Sequence, residues 1–362
     1  MNLELSDEQL ALRDAVRRFL TERAPVAGHV RALLDDPVGT TDGVWHGLAA
    51  LGATGLLVPE RHGGAGMGMV EAGVVLEELG RALDPGPWSS SAVAAPRALR
   101  AVEGGDVAKL LAGIADGSVV ATVALPVTDL SVAGGDEATL EGTIAEVPDA
   151  AAAQVLLLPV AEAACAALFA VETSAPGVTV TPLRRVDGSR KQARVTLVGA
   201  PAERLGSLSA AAVEALFDDV LVARGADALG AAQAVLELAV AYAKARVQFG
   251  QPIGAFQAVQ HLCVDMLETV ELARGGVLHA LWAADHADAA TRHLAATELK
   301  AFAGHLAHVG DMAIQVFGGI GYTWEHDAQL YLKRLLSWSA FLGSPDRYLV
   351  ETGRLLVRSQ TR

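Results

Sequence analysis

The 362-residue sequence predicts a mainly α fold with a central β-domain, and three observations carry that expectation. Hydrophobic residues make up 52% of the chain but aromatics only 5%, and the excess of Ala, Leu and Val suits closely packed helices better than an all-β sandwich. Apolar residues recur at helical spacing near the N-terminus and again from about Leu208 onward. Between these stretches, short apolar runs alternate with Gly, Pro and Asp, the texture of strands and turns. The expected division is an N-terminal helical domain (1–116), a middle β-domain (117–206) and a C-terminal helical bundle (207–362).

Ser6 followed by Gln9 fits a capping box, and Leu10, Leu12, Val16, Phe19 and Leu20 place a helix over about Asp7 to Glu22. Trp45 to Leu51 reads as a short helix and Val70 to Leu83 as another. The glycine-rich loop between them, PERHGGAGMG, lacks the preceding strand of a βαβ unit and reads as an interhelical turn, not a dinucleotide cradle. Strands are expected over Val119 to Leu125, Val155 to Val160, Ala167 to Val171, Val178 to Val180 and Ala193 to Val198. A long helix follows to Ala245, and then helical stretches over Val259 to Ala284, Arg292 to Phe317 and Tyr348 to Val357, which together imply an antiparallel bundle.

The formal charge is 28 − 42 = −14, and no dense basic stripe offers a nucleic-acid footprint. Cys165 and Cys263 belong to no metal-spaced cluster and are expected to be buried free thiols. His261, His279, His286 and His293 are spread through helical stretches without compact ligand spacing, so no metal site is expected. The N-terminus lacks the basic-then-apolar pattern of a secretory signal, and no uncharged run reaches membrane-spanning length. A cytoplasmic location and no membrane partner are the corresponding expectations.

Two segments carry the functional signal: Arg246 to His261 (RVQFGQPIGAFQAVQH) and Gln315 to Arg334 (QVFGGIGYTWEHDAQLYLKR). Arg246 stands where a long helix ends at Gly250 and Pro252, and a guanidinium fork there matches phosphate oxygens. Phe249 offers an apolar face, Gln248 and Gln257 offer neutral hydrogen-bonding groups, and Gly318 and Gly319 permit close backbone approach. Gln315 lies one helical turn before those glycines. In order and separation the two segments resemble the flavin-binding signature of the acyl-CoA dehydrogenase family. LGATGLLVPERHGGAG and VVLEELGRALDPGP resemble that family more weakly.

The resemblance implies a helical, β and four-helix-bundle architecture, usually tetrameric, with FAD at subunit interfaces. It implies that Arg246, Gln248, Phe249, Gln257, Gln315, Gly318 and Gly319 contact the ADP and diphosphate part of FAD. Family chemistry oxidises an acyl-CoA thioester to the trans-2-enoyl-CoA, with electron-transfer flavoprotein as acceptor, and needs a carboxylate base. At the two family positions for that base this sequence has Leu342, and Val220 or Leu221. Asp218 and Asp219 stand nearby but read as acids favouring the positive end of a helix, and Glu325 reads as part of a helix start. Ala124 to Ala133 (ALPVTDLSVA) and Thr143 to Ala152 (TIAEVPDAAA) preserve neither of the family's ring-binding segments, and Thr128 and Ser131 read as loop hydroxyls.

The expectation is therefore a subunit without catalytic residues of its own. It resembles the base-lacking chain of heterotetrameric, steroid side-chain-type enzymes of lipid metabolism, sharing FAD with a homologous catalytic subunit that binds most of the acyl-CoA. Two alternatives stand beside it: a self-sufficient homotetramer with a displaced base such as Asp219 or Glu325, and a scaffold that has lost FAD.

Overall fold

A computed structural model describes residues 4–360 except 104–105, 126–129, 135–136 and 163–164. The chain opens with helices α1 (Asp7–Arg23), α2 (Asp42–Ala50), α3 (Met69–Arg81), α4 (Ala95–Arg100) and α5 (Ala108–Ala115). The capping box forms as the sequence predicts: Ser6 Oγ accepts from the Gln9 amide at 3.3 Å, and Gln9 Oε1 accepts from the Ser6 amide at 2.9 Å. Two π-helical turns, Val26–Val30 and Ser89–Ala94, interrupt the helical run.

Seven strands follow: β1 (Ala121–Val123), β2 (Ser131–Ala133), β3 (Glu137–Pro148), β4 (Val155–Ala161), β5 (Cys165–Glu172), β6 (Val178–Leu183) and β7 (Gln192–Ser209). They make one sheet in the order β1-β4-β5-β7-β3-β2, with β6 also on β7. β1 and β4 pair in parallel and the other pairs are antiparallel. At 18 residues β7 is long enough to serve β5 at one end and both β3 and β6 at the other. β2 and β3 are absent from the sequence reading. Ser131 stands on β2 and not in a loop, while Thr128 lies outside the described residues.

The chain then enters α6 (Ala210–Ala245), capped by Ser209 Oγ. A hairpin of β8 (Val247–Gln248) and β9 (Gln251–Pro252) leads to α7 (Gln257–His286), α8 (Ala289–Ala301), α9 (Ala303–Phe317), α10 (Ala328–Ala340) and α11 (Pro345–Gln360). The stretch expected as one helix from Arg292 to Phe317 is thus two, broken at Phe302. α6 is long and apolar enough to cross a membrane by length and composition, yet 67% of that span is buried inside the fold, where it is the central rod of the bundle. α3 crosses α6 through opposed glycines: a Cβ on Gly80 would sit 1.8 Å from Asp227 O, and one on Gly230 1.8 Å from Glu77 O. Only hydrogen at both positions lets the backbones come this close.

A buried polar cluster joins the three regions. Arg334 of α10 donates to Ser189 O at 2.9 Å and to Asp84 O at 2.7 Å, and its Nε lies 3.4 Å from Asp227 of α6. Arg190 pairs with the same Asp227 at 2.5 Å. These contacts link the helix after α9, the loop before β7, the loop after α3 and the central rod. Both free cysteines are half-buried, so the expectation of full burial does not hold. Among the described residues no group of three His, Cys, Asp or Glu is placed to hold a metal ion.

Candidate functional site

The nucleotide-contact candidates gather at one end of the bundle. The helical hydrogen bonding of α6 ends as the Arg246 amide donates to Tyr242 O, and Arg246 itself turns to an extended conformation. Tyr242 packs against Phe317, the last residue of α9, with ring centroids 5.0 Å apart, so the exit of Arg246 and the start of Gly318-Gly319 are held together. His326 closes this aromatic group at 4.2 Å from Phe317. Phe249 and Gly250 form the two-residue tip of the β8–β9 hairpin with φ of 53° and 82°. Positive φ at both positions is the type I′ geometry that matches strand twist, and it is a strained conformation for phenylalanine. The hairpin folds back on the start of α7, where Phe249 meets Phe256 edge-on at 6.1 Å beside Gln257.

All seven candidates are solvent-exposed, Phe249 to the extent of 92%. Arg246 forms no ion pair among the described residues, and space beside Gly250, Gly318 and Gly319 is open, with nothing within 4 Å of an added Cβ. A cation, an aromatic face, amide side chains and approachable backbone fit the diphosphate and adenosine of a dinucleotide. Exposed as they are, these residues lie on one surface and do not by themselves enclose a ligand.

A second feature lies apart from them. A cavity of about 580 Å³ is walled by the β-domain, by α6 and by the end of α10. Leu342 and Val220, two of the residues that the sequence reading sets at the expected base positions, both line it, whereas Leu221 is packed in the core at 1% exposure. Of the two α6 candidates, Val220 is therefore the one at the cavity. Leu342 has φ of 54°, uncommon for a leucine, and Tyr348 Oη donates to its carbonyl at 2.9 Å. Val123 contributes from the end of β1, and Leu125, Glu146 and Pro148 from the two stretches that the sequence reading compares with the family's ring-binding segments.

Asp218 and Asp219 are not where the sequence suggested. They lie more than two turns into α6, buried at 2% and 1%, and face away from the cavity lining. Asp219 accepts from Arg97 and Arg292, each at 2.5 Å, and Asp218 from His293 at 2.9 Å. The hydrogen bond that His293 donates to Asp218 holds the imidazolium up to about 9 despite partial burial, while burial pushes Asp218 and Asp219 themselves up. Glu325 is exposed and also stands outside the cavity lining.

The carboxylates that do line the cavity are Glu146, paired with Arg185 at 2.5 Å, and Asp187, whose Oδ1 accepts from the Ser189 amide at 2.9 Å while its buried Oδ2 has no hydrogen-bond partner. Arg224 lines it from α6. The sequence reading missed Asp187 and Arg224, although an arginine and an aspartate within a long apolar helix, at Arg224 and Asp227, are a signal that such a helix has polar business in the core.

Two family descriptions match the chain: "Acyl-CoA dehydrogenase, N-terminal domain" over residues 6–104 and "Acyl-CoA dehydrogenase, C-terminal domain" over residues 211–348. The acyl-CoA dehydrogenase FadE34 of Mycobacterium tuberculosis is 38% identical over 359 residues, covering 95% of this chain and 47% of the relative, so the chain spans about half the length of that protein. IpdE2 of the same organism, also an acyl-CoA dehydrogenase, is 33% identical over 344 residues and 95% of each chain. Among solved structures, the Tcur3481–Tcur3483 steroid ACAD superposes with a TM-score of 0.89 at 29% identity over 98% of this chain and 99% of the other. The ChsE4–ChsE5 complex from Mycobacterium tuberculosis superposes with a TM-score of 0.89 at 26% identity over 99% of each.

Proposed function

The chain belongs to the acyl-CoA dehydrogenase family, and from that premise we propose that it is the non-catalytic subunit of a heteromeric, FAD-dependent acyl-CoA dehydrogenase. FAD is its cofactor, and this chain contributes the wall that holds the ADP half. The observation that carries the reading is a contrast within one molecule: the nucleotide-contact residues Arg246, Gln248, Phe249, Gln257, Gln315, Gly318 and Gly319 are together and exposed, while both base positions in the cavity are aliphatic.

Bound flavin supplies the hydride acceptor for the β carbon of the acyl thioester. The α proton must go to a carboxylate, and neither Leu342 nor Val220 offers a lone pair. A homologous partner supplies that carboxylate, most of the acyl-CoA contacts and the second wall around FAD. In this chain Arg246 neutralises diphosphate charge, Phe249 covers an aromatic face, and the glycines let backbone amides approach.

Two solved structures and one curated relative support the pairing. The two structures carry paired names, one of them a steroid ACAD and the other a complex. The part of FadE34 outside the match, a little over half of it, is long enough for a second chain of this size. On the same footing the substrate is a steroid side-chain or other bulky CoA ester, and electron-transfer flavoprotein receives the electrons. A self-sufficient enzyme is favoured by one observation, the unpartnered Asp187 Oδ2 at the cavity wall.

The test is to purify the chain alone and with a homologous subunit that carries the glutamate, and to record flavin absorbance, mass and reduction by acyl-CoA. FAD retained only in the mixed oligomer supports the division of labour. A yellow homo-oligomer that acyl-CoA reduces, and that Asp187→Asn inactivates, overturns it in favour of the second reading. A colourless but stable mixed oligomer would point to a scaffold without FAD.

A further inference from the structure

Arg224 has no part in the division of labour proposed above. It lies one helical turn beyond Val220 on α6, is 8% exposed, and lines the cavity. Among the described residues no ion pair holds it. Its Nε is enclosed without a hydrogen-bond partner, and the guanidinium rests over the Phe341 ring at 5.3 Å from the centroid. The other cations of the lining are engaged: Arg190 with Asp227 at 2.5 Å, Arg185 with Glu146 at 2.5 Å, and Lys333 with Gln329 Oε1. Burial and the neighbouring Arg190 push Arg224 down to about 9, and Asp149 only partly opposes them. An Nε enclosed without an acceptor is costly, and the guanidinium, with no ion pair among the described residues, is a ready partner for an anion in the cavity.

We propose that this cavity binds an apolar carboxylate, with the carboxyl group on the Arg224 fork and the hydrocarbon body against Val123, Leu125, Leu336 and Leu342. The planar fork favours a carboxylate. Asp187 and Glu146 share the lining and oppose a second negative charge, which argues against a phosphate dianion. The cavity volume of about 580 Å³ lies within the usual range for small-molecule sites. The inference stands whichever chain carries the catalytic base.

The experiment titrates decanoate and 1-decanol into the FAD-loaded protein, with its partner subunit if FAD requires one, by isothermal calorimetry. Decanoate is expected to bind once per chain and roughly ten- to a hundredfold more tightly than decanol, the range of a hydrogen bond to a charged group. Arg224→Gln, checked for folding by its melting transition, is expected to abolish the preference while decanol still binds. Equal affinity of acid and alcohol for the unmodified protein overturns the proposal without recourse to any variant. So does absence of decanoate binding, or a preference that survives in a folded Arg224→Gln protein.

Discussion

Replacing Asp219 with alanine separates its structural role from the catalytic one that its place near a family base position suggests. Asp219 is 1% exposed and accepts from two guanidinium groups, so its removal leaves both facing an uncompensated space. Breaking a buried pair by deleting one partner costs about 3–5 kcal/mol. Here Arg97 keeps Asp285 at 2.7 Å and Ala284 O at 3.0 Å, Arg292 keeps Ala215 O at 2.8 Å, and both arginine side chains retain 12–18% exposure. The loss should sit at the low end, about 3 kcal/mol. With about 2.1 cal/mol/K of unfolding entropy per residue, 362 residues give about 0.76 kcal/mol/K, and Tm should fall by about 4 °C if the chain melts as one unit. Calorimetry of the FAD-loaded protein reads this, and stopped-flow absorbance reads flavin reduction by acyl-CoA. An unchanged Tm with reduction slowed about a hundredfold, the signature of a lost general base, would refute the structural assignment.

Arg246→Ala should weaken FAD retention by the assembled protein roughly tenfold or more, since it deletes a charge-assisted phosphate contact, without lowering the melting temperature of the FAD-free chain. Equilibrium dialysis against FAD measures it. Gly230→Ala should destabilise by about 3 kcal/mol, because its Cβ would meet the Glu77 carbonyl of α3 and neither backbone can retreat without separating the two helices; urea unfolding gives the value. His293 is held up to about 9, above the unfolded value of 6.5, so its pairing with Asp218 stabilises fully below pH 6.5 and is lost as pH rises through 9. Partial exposure reduces the contribution to about 1–2 kcal/mol. The Tm gap between the unmodified protein and His293→Gln should therefore shrink steadily from pH 6 to pH 10.

The parts of this molecule legible in its sequence are those decided by neighbours along the chain. The Ser6–Gln9 box starts α1 as expected, and the end of the rod at Ala245 is marked locally by the glycine and proline of FGQP. The break at Phe302 was not legible, because Ala and Leu continue at helical spacing on both sides of it with no Pro, and the nearest glycine, Gly304, falls inside α9 beyond the break. β3 was hidden for another reason. Its register shifts between Leu140 and Gly142 and again between Ile144 and Val147, so the period-2 signal fails although Leu140, Ile144 and Val147 all point into the core.

The two parts of the candidate site differ in the same way. The proposed nucleotide wall was open to sequence reasoning because it is made from two continuous segments whose exposed residues are not needed by the core. The cavity was not, because Asp219 finds Arg97, and Asp187 comes to line the same cavity as Leu342, only through the packing of distant elements. Adjacent positions on one helix then acquire unrelated roles: Val220 lines a cavity, Leu221 fills the core, and Arg224 one turn later reaches the cavity again. Helix geometry alone accounts for that pattern, since residues four apart share a face and neighbours diverge by about 100°. An aliphatic Val220 with Arg224 one turn later on the same cavity wall thus makes one surface, part apolar and part cationic, and it suits recognition of an anion better than removal of a proton.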